Sequence, residues 1–557
     1  MWLKNLVFIA LCLAGLSTLA ASLAPVHKQP RDGRSRSDDR SVAGKNTAAG
    51  QAAAPDQADI AEVAAQMDRL FRADWTAAGL TPAPVAEDLV VARRLSLALT
   101  GTIPSLEEIR HFENEPAEGR LDRRLEDLLE DRRCQDYLAE RLTRAFVGVQ
   151  DGPFIIFRRR RFVAWLTDQL QANRPYNEIV RDLITDSGIW TDRPATNFIT
   201  VTIKPDQEKG PDEGELAARV SRAFLGVRLD CAECHDHPFQ PWKQRDFQGL
   251  AAFFGQTKQQ GLKGIVDAEG EYEVENRVTG GRDKVAPCVP FQSDLLPADG
   301  TRREKLAAWV THRSNRAFAR AAANRFWAEL FGRPLVEPID DIPSVGDPPP
   351  VLDLLADDFV EHGYDLRRLI RVIAATAVFR LDSGSDPSGP EITPAHEAAW
   401  AAFPLIRLRP EQVVGGLLQS TSLPTIDYQS HIVVRVIRAG TQNDFIKRYG
   451  DLGEEEFSPQ GGTIPQRLLM MNGKQLQERI GENVLANAAT HIAMLAPSDE
   501  KAVETAYLAT LTRRPTADEA KHFVAALGDQ SDKRSRNQRM EDLYWCLLNS
   551  TEFSWNH

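Results

Sequence analysis

Cys231, Cys234 and His235 stand in the pentapeptide C-A-E-C-H, the stretch of this sequence whose residue types and spacing carry the most chemistry. At this spacing two thiolates reach the two vinyl groups of one porphyrin, and the adjacent imidazole falls beneath the iron as its proximal ligand. The chain has only 6 cysteines and 11 histidines in 557 residues, so chance would produce the pentapeptide in about one such chain per thousand. His237 is excluded as the opposite axial ligand of the same iron. Two residues of chain span at most about 7 Å, too little to pass round the porphyrin edge. Met470, Met471 and His111 are candidates for that position, and no spacing singles one of them out.

Two other chemistries compete for the same residues. Cys231, Cys234 and His237 are soft or borderline ligands within one short loop, and with a fourth group they would complete a zinc tetrahedron. Asp236 would then orient an imidazole from outside the ligand set. The His237-Pro238 pair has no role in the haem reading and favours the zinc one. The third reading is a local Cys231–Cys234 disulfide, or a plain structural loop with no cofactor. A thioredoxin-type redox pair is not indicated, because no βαβ pattern surrounds the cysteines. The sequence also lacks G-x-S-x-G, a Walker loop, H-E-x-x-H and a dinucleotide fingerprint, so no reaction or substrate can be read from it.

Other residues invite a functional reading and have an ordinary one beside it. The acidic turn Glu337-Pro338-Ile339-Asp340-Asp341 offers paired carboxylates or a cation site, but most such turns simply cap the next element. Arg325 is positioned to pair with Asp340 or Asp341. Trp327 reads as core. Trp242, Phe247, Phe253 and Phe254 are either core or the apolar wall of a haem pocket.

A net charge of −12 makes nucleic acid a poor partner, since binding there depends on neutralising phosphates. The expected partner is an unidentified redox or envelope component. Arg158, Arg159, Arg160 and Arg161 form the one basic run, and they open an amphipathic helix. At the N-terminus Lys4 precedes an apolar run from Leu6 to Ala21 with small residues after it, the pattern of a secretory signal peptide over residues 1–24. The run is slightly short for a spanning helix, so an uncleaved anchor is the only membrane segment in view. A secreted or cell-envelope location suits C-x-x-C-H, because haem is joined to that motif outside the cytoplasm. The remaining cysteines are scattered and imply no disulfide framework.

The elements that must position the motif are mostly helices. Residues 25–58 hold almost no large apolar side chain and read as a disordered tether. Helical periodicity starts near Ile60 and runs through residues 59–258. Within that span Ser105-x-x-Glu108 is a capping box, and Leu216, Val220, Ala223, Phe224 and Val227 lead into the motif. Asn197 to Ile203 alternates with β-branched residues and predicts a short strand. Residues 259–300 form a β-containing connection, in which Tyr272, Val274 and Val278 alternate with charges. Helices return over 301–557. The fold class expected is mainly α, with two helical domains and a small β-element between them.

Several compound motifs then resemble one known arrangement. L-T-G-T-I-P at 99–104, C-A-E-C-H-D-H-P-F at 231–239 and W-K-Q-R-D-F-Q-G-L-A-A-F-F at 242–254 are similar to the signature of a planctomycete cytochrome-c-like domain of unknown function. N-R-F-W-A-E-L-F-G-R-P-L-V-E-P-I-D-D at 324–341 resembles a second domain of unknown function that accompanies it in large exported proteins. L-L-M-M-N-G at 468–473, T-R-R-P-T at 512–516 and L-L-N-S-T-E-F at 547–553 match the tail of that second domain. The resemblance runs from about residue 60 to the C-terminus and implies cytochrome character without a reaction. Many relatives carry a further cytochrome domain upstream, where this chain has only the tether, so it holds one candidate haem site.

Overall fold

The computed structural model describes residues 55–556, apart from 150–158, 205–209, 276–279, 343–347, 385–390, 428, 431–441, 443, 451–456, 458–462, 473–486 and 530–533. The signal segment, nearly all of the tether, Arg158, Val278 and Gly473 lie outside the described residues. The first helix, Pro55–Ala78, begins within the last residues expected of the tether.

Most of the described chain is helical, as the apolar periodicity requires. Helices Asp88–Thr100, Leu106–Asn114, Arg120–Glu130 and Arg132–Val147 follow one another through short turns. The expected capping box forms at Ser105: its Oγ accepts from Glu108 N at 3.0 Å, and Ser105 N donates to Glu108 Oε2 at 2.8 Å. Two antiparallel hairpins follow the motif region. Thr257–Gln260 pairs with Gly264–Asp267, and Tyr272–Glu275 pairs with Arg282–Val285. The second is the exposed β-element read from the alternation of Tyr272 and Val274 with charges. A two-residue pairing of Ile406–Arg407 with Trp555–Asn556 brings the end of the described chain back onto its middle.

The strand expected at residues 197–203 is not there. Pro194–Thr196 is a 3-10 turn running into the short helix Asn197–Thr200. Phe198, Ile199, Thr200, Thr202 and Ile203 are all buried, so alternation in type did not mean alternation in exposure. Asn197 and Thr202 bond locally instead of facing a neighbouring strand. Asn197 Nδ2 donates to Pro194 O at 2.8 Å, and Thr202 Oγ1 donates to Ile199 O at 2.9 Å.

Residues 54–557 form one compact unit. Its main apolar cluster runs from Ile60 to Phe403, so both motif-bearing halves share it. Helix Arg316–Phe331 runs through this cluster with Trp327 stacked on Phe331 at 4.3 Å. Phe291, in the segment between the halves, packs 6.2 Å from Trp242 and 5.0 Å from Trp309. A second cluster joins Leu97 and Ile103 to Leu408, Val413, Tyr507 and Leu548. Where the halves meet, Glu329 lies 3.1 Å from Arg141 and 3.0 Å from Arg409, and Arg141 also reaches Glu411 at 2.8 Å. Removing one member of such a buried set leaves an opposite charge stranded, at a cost of about 3–5 kcal/mol.

Two of the compound motifs are explained by close approach. Gly101 has φ +65°, and a Cβ there would meet the Tyr137 ring at 2.4 Å. Gly415 would likewise press a Cβ to 2.2 Å from the Gly101 carbonyl oxygen. L-T-G-T-I-P is therefore a turn pressed between Tyr137 and helix Pro410–Ser420. Asn324, fully buried, brackets one residue: its Oδ1 accepts from Val336 N at 3.0 Å and its Nδ2 donates to Val336 O at 2.8 Å.

Candidate functional site

Helix Glu213–Val220 continues as a π-turn, Ser221–Leu225, and stops at Gly226, whose φ of +62° ends it in the left-handed region. Asp230–Ala232 then makes one 3-10 turn. In such a turn side chains at i and i+3 eclipse. Leu229 and Ala232 are such a pair, both buried, and they pin one side of the turn to the core. Cys231 lies within the turn and Cys234 just beyond it, and both thiols are free and exposed. The backbone bonds Ala232 N to Leu229 O (2.8 Å) and Glu233 N to Asp230 O (3.1 Å) hold this arrangement.

The two histidines differ in what their rings do. His235 is exposed, and its Nδ1 lies 2.7 Å from the Asp236 carbonyl oxygen. A carbonyl only accepts, so Nδ1 carries the proton and Nε2 keeps its lone pair. That is the tautomer of an imidazole that binds a metal through Nε2 with its other nitrogen oriented by an acceptor. His237 is reversed. Its Nδ1 accepts from Phe239 N at 3.2 Å and from Gln240 N at 3.0 Å, which places the proton on Nε2. The His237-Pro238 pair thus closes the H-P-F-Q turn, and binding a metal at Nε2 would break both hydrogen bonds.

The Asp236 carboxylate does not orient an imidazole. It accepts from Gln244 N at 3.0 Å and meets Lys243 at 3.1 Å, capping helix Gln244–Ala251. The Gln244 N–H first, and Lys243 after it, hold this carboxyl below its usual range. Trp242, Phe247, Phe253 and Phe254 are all buried, so they are core and not an open wall. Met470 is buried in the second apolar cluster. His111 is exposed, with Nε2 3.2 Å from Glu115.

Among the described residues two groups bring three donor atoms within 4.8 Å of one another, Asp59/Asp358/His362 and His111/Glu115/Asp127. Cys231, Cys234 and His237 do not form such a group. The first group is already bridged by Arg368, at 2.6 Å from Asp59 and 2.7 Å from Asp358.

The acidic turn at 337–341 has a role that spacing did not reveal. Asp340 meets Arg228 at 2.7 Å. Asp341 accepts from Gln240 Nε2 at 3.0 Å, and Gln240 Oε1 accepts from Trp242 Nε1 at 2.7 Å. The turn from the second half therefore braces the loop on either side of C-A-E-C-H. Arg325 shares with Asp340 the wall of a small cavity of about 40 Å³, also lined by Arg144, Arg219 and Arg222. Arg228 and Gln240 carry no sequence signal for this contact. The only hint is that both acids sit within one compound motif.

Residues 66–259 match PSCyt2, a protein of unknown function (DUF1549), and residues 302–435 match PSD1, a protein of unknown function (DUF1553). The chain carries both domains, in that order. The PSCyt2 domain contains the whole C-A-E-C-H turn, and the PSD1 domain contains the acidic brace. No curated protein and no solved structure matches the chain. Among the described residues no helix is long and apolar enough to cross a membrane.

The residues fit a covalently attached haem in their donor chemistry. Two exposed thiols and an Nε2 lone pair lie within five residues, at a turn whose other side is anchored.

Proposed function

We propose that this PSCyt2–PSD1 protein is an exported cell-envelope protein that binds one c-type haem and uses it for electron transfer or redox sensing. The observation that carries the reading is the pairing of exposed Cys231 and Cys234 with the His235 tautomer. The two thiols would hold the porphyrin through thioethers. His235 Nε2 would take the iron, with the Asp236 carbonyl fixing the ring and raising its basicity. Such a haem supplies reversible one-electron chemistry. The buried Leu229 and Ala232 keep the turn from unwinding, and Asp340 and Asp341 hold the flanking loop. Export is supported by the Lys4-led apolar segment and by the compartment in which haem is joined to this motif.

The zinc reading loses its third ligand, because His237 Nδ1 already accepts two backbone N–H groups. The test is to express the full chain in a host with haem-attachment machinery. A Soret band that survives acid–acetone extraction, and that Cys231→Ser with Cys234→Ser abolishes, is the expected result. A colourless protein holding stoichiometric zinc that Cys231→Ser releases would replace haem by zinc. A protein with neither would end the cofactor reading.

A further inference from the structure

A cavity with room for a small molecule lies away from the C-A-E-C-H turn. It measures about 510 Å³ and lies between helix Arg316–Phe331 and the closing pair of Ile406–Arg407 with Trp555–Asn556. That volume suits a small organic ligand. Tyr449, Phe457 and Trp555 are aromatic residues of its lining; Phe445 stacks on Tyr449 at 4.9 Å, and the Arg141 and Arg409 guanidiniums lie 5.6 Å from the Phe457 ring.

Three carboxylates and three guanidiniums line it, and they are unevenly paired. Glu329, on one wall, is taken up by Arg141 and Arg409. Glu337 lies 3.8 Å from Arg333, and both it and Glu397 act on that guanidinium. Among the described residues Arg407 meets no carboxylate: its Nη1 donates to Gln466 Oε1 at 2.7 Å and its Nη2 to the Tyr449 hydroxyl at 2.8 Å, both neutral. A cation on a cavity wall with only neutral partners is set to receive an anion, and a planar guanidinium suits a carboxylate.

A second, independent group points the same way. Asn556 lines the cavity at only 6 % exposure, and among the described residues its Oδ1 meets no hydrogen-bond donor. An unsatisfied buried amide oxygen is destabilising unless something else supplies the donor. The register Ile406↔Asn556 and Arg407↔Trp555 puts the guanidinium and an indole on one face of the paired strands and the amide on the other, and all three residues line the cavity.

We propose that this cavity binds a small ring-bearing monocarboxylate. Arg407 takes the carboxylate, Asn556 Oδ1 accepts a hydroxyl or N–H from the ligand, and Trp555, opposite Arg407, packs against the ring. Aromatic acids and sugar acids share that chemistry.

Calorimetry on the full-length protein tests it, with 4-hydroxybenzoate and D-glucuronate as the two ring acids. Their neutral counterparts, 4-hydroxybenzamide and methyl glucoside, and ringless acetate complete the set. One acid is expected to bind at a single site, and its identity names the source. Its neutral counterpart and acetate should bind at least about tenfold more weakly, the loss expected when a charged hydrogen bond goes. Arg407→Gln should cost a similar factor. Asn556→Leu removes an amide oxygen with no partner, so it should fold at least as stably as the parent and still bind several-fold more weakly. Absence of binding by both acids at millimolar concentration would overturn the proposal. So would acetate binding as tightly as the ring acids, or unchanged affinity in a folded Asn556→Leu or Arg407→Gln protein.

Discussion

Replacing Glu108 by Gln tests the electrostatics of the capping box that starts helix Leu106–Asn114. The Glu108 carboxylate caps Ser105 and also faces Arg124 at 3.0 Å and Arg133 at 2.6 Å. Burial alone would raise its pKa. The Arg124 and Arg133 guanidiniums and the Ser105 N–H outweigh that and bring it from 4.5 down to about 2. A shift of about 2.5 units corresponds to about 3 kcal/mol favouring the folded state at neutral pH. Because the folded pKa is the lower one, this contribution is complete above pH 4.5 and fades as pH falls towards 2. At pH 3 about 1.4 kcal/mol should remain. Gln keeps the capping geometry but loses the charge. Urea unfolding should therefore show Glu108→Gln destabilised by about 3 kcal/mol at pH 7, with the gap roughly halved at pH 3. Hydrogen exchange in the 105–115 peptide reads the same loss locally, without assuming that the whole chain unfolds in one step. A difference below about 1 kcal/mol at pH 7, or one that does not shrink on acidification, would refute the reasoning.

Other outcomes follow from the same structure. Gly101→Ala must place a Cβ at positive φ and 2.4 Å from the Tyr137 ring, so it should cost about 2–4 kcal/mol, read as a lowered melting temperature. Iodoacetamide should label exposed Cys231 and Cys234 quickly in haem-free protein. It should miss Cys134, which burial shields and whose thiol burial also raises to about 12, until denaturant is added. Mass spectrometry reads this directly, and protein from a haem-attaching host should lose reactivity at 231 and 234 alone. Asp341→Ala should free Gln240 and speed tryptic cleavage after Lys243 several-fold. The melting temperature should barely move, since the contact is local and near the surface.

The helical class, the capping box at Ser105 and the hairpin at Tyr272 were legible because each rests on local periodicity or a short-range pairing of residue types. Asn197–Thr200 was misread because β-branched alternation mimics a strand wherever tertiary packing buries every position. The C-A-E-C-H motif was legible as a spacing. Which histidine can offer a lone pair was not, because that depends on backbone N–H groups brought to the His237 ring by the turn after it. Arg228 and Gln240 could not be foreseen, since their partners lie about a hundred residues away in the chain.

The sequence by itself determined the local chemistry: two thiols and an imidazole within five residues, the helix starts, and the acidic balance. Only the tertiary structure decided how those groups are presented. It left both cysteine thiols exposed beside an anchored 3-10 turn, buried Trp242, Phe247, Phe253 and Phe254, and closed a cavity between helix Arg316–Phe331 and the paired residues 406–407 and 555–556. The physical reason is that covalent spacing reaches only a few ångströms. Exposure, tautomer and uncompensated charge are set by whatever distant segments the shared core brings alongside.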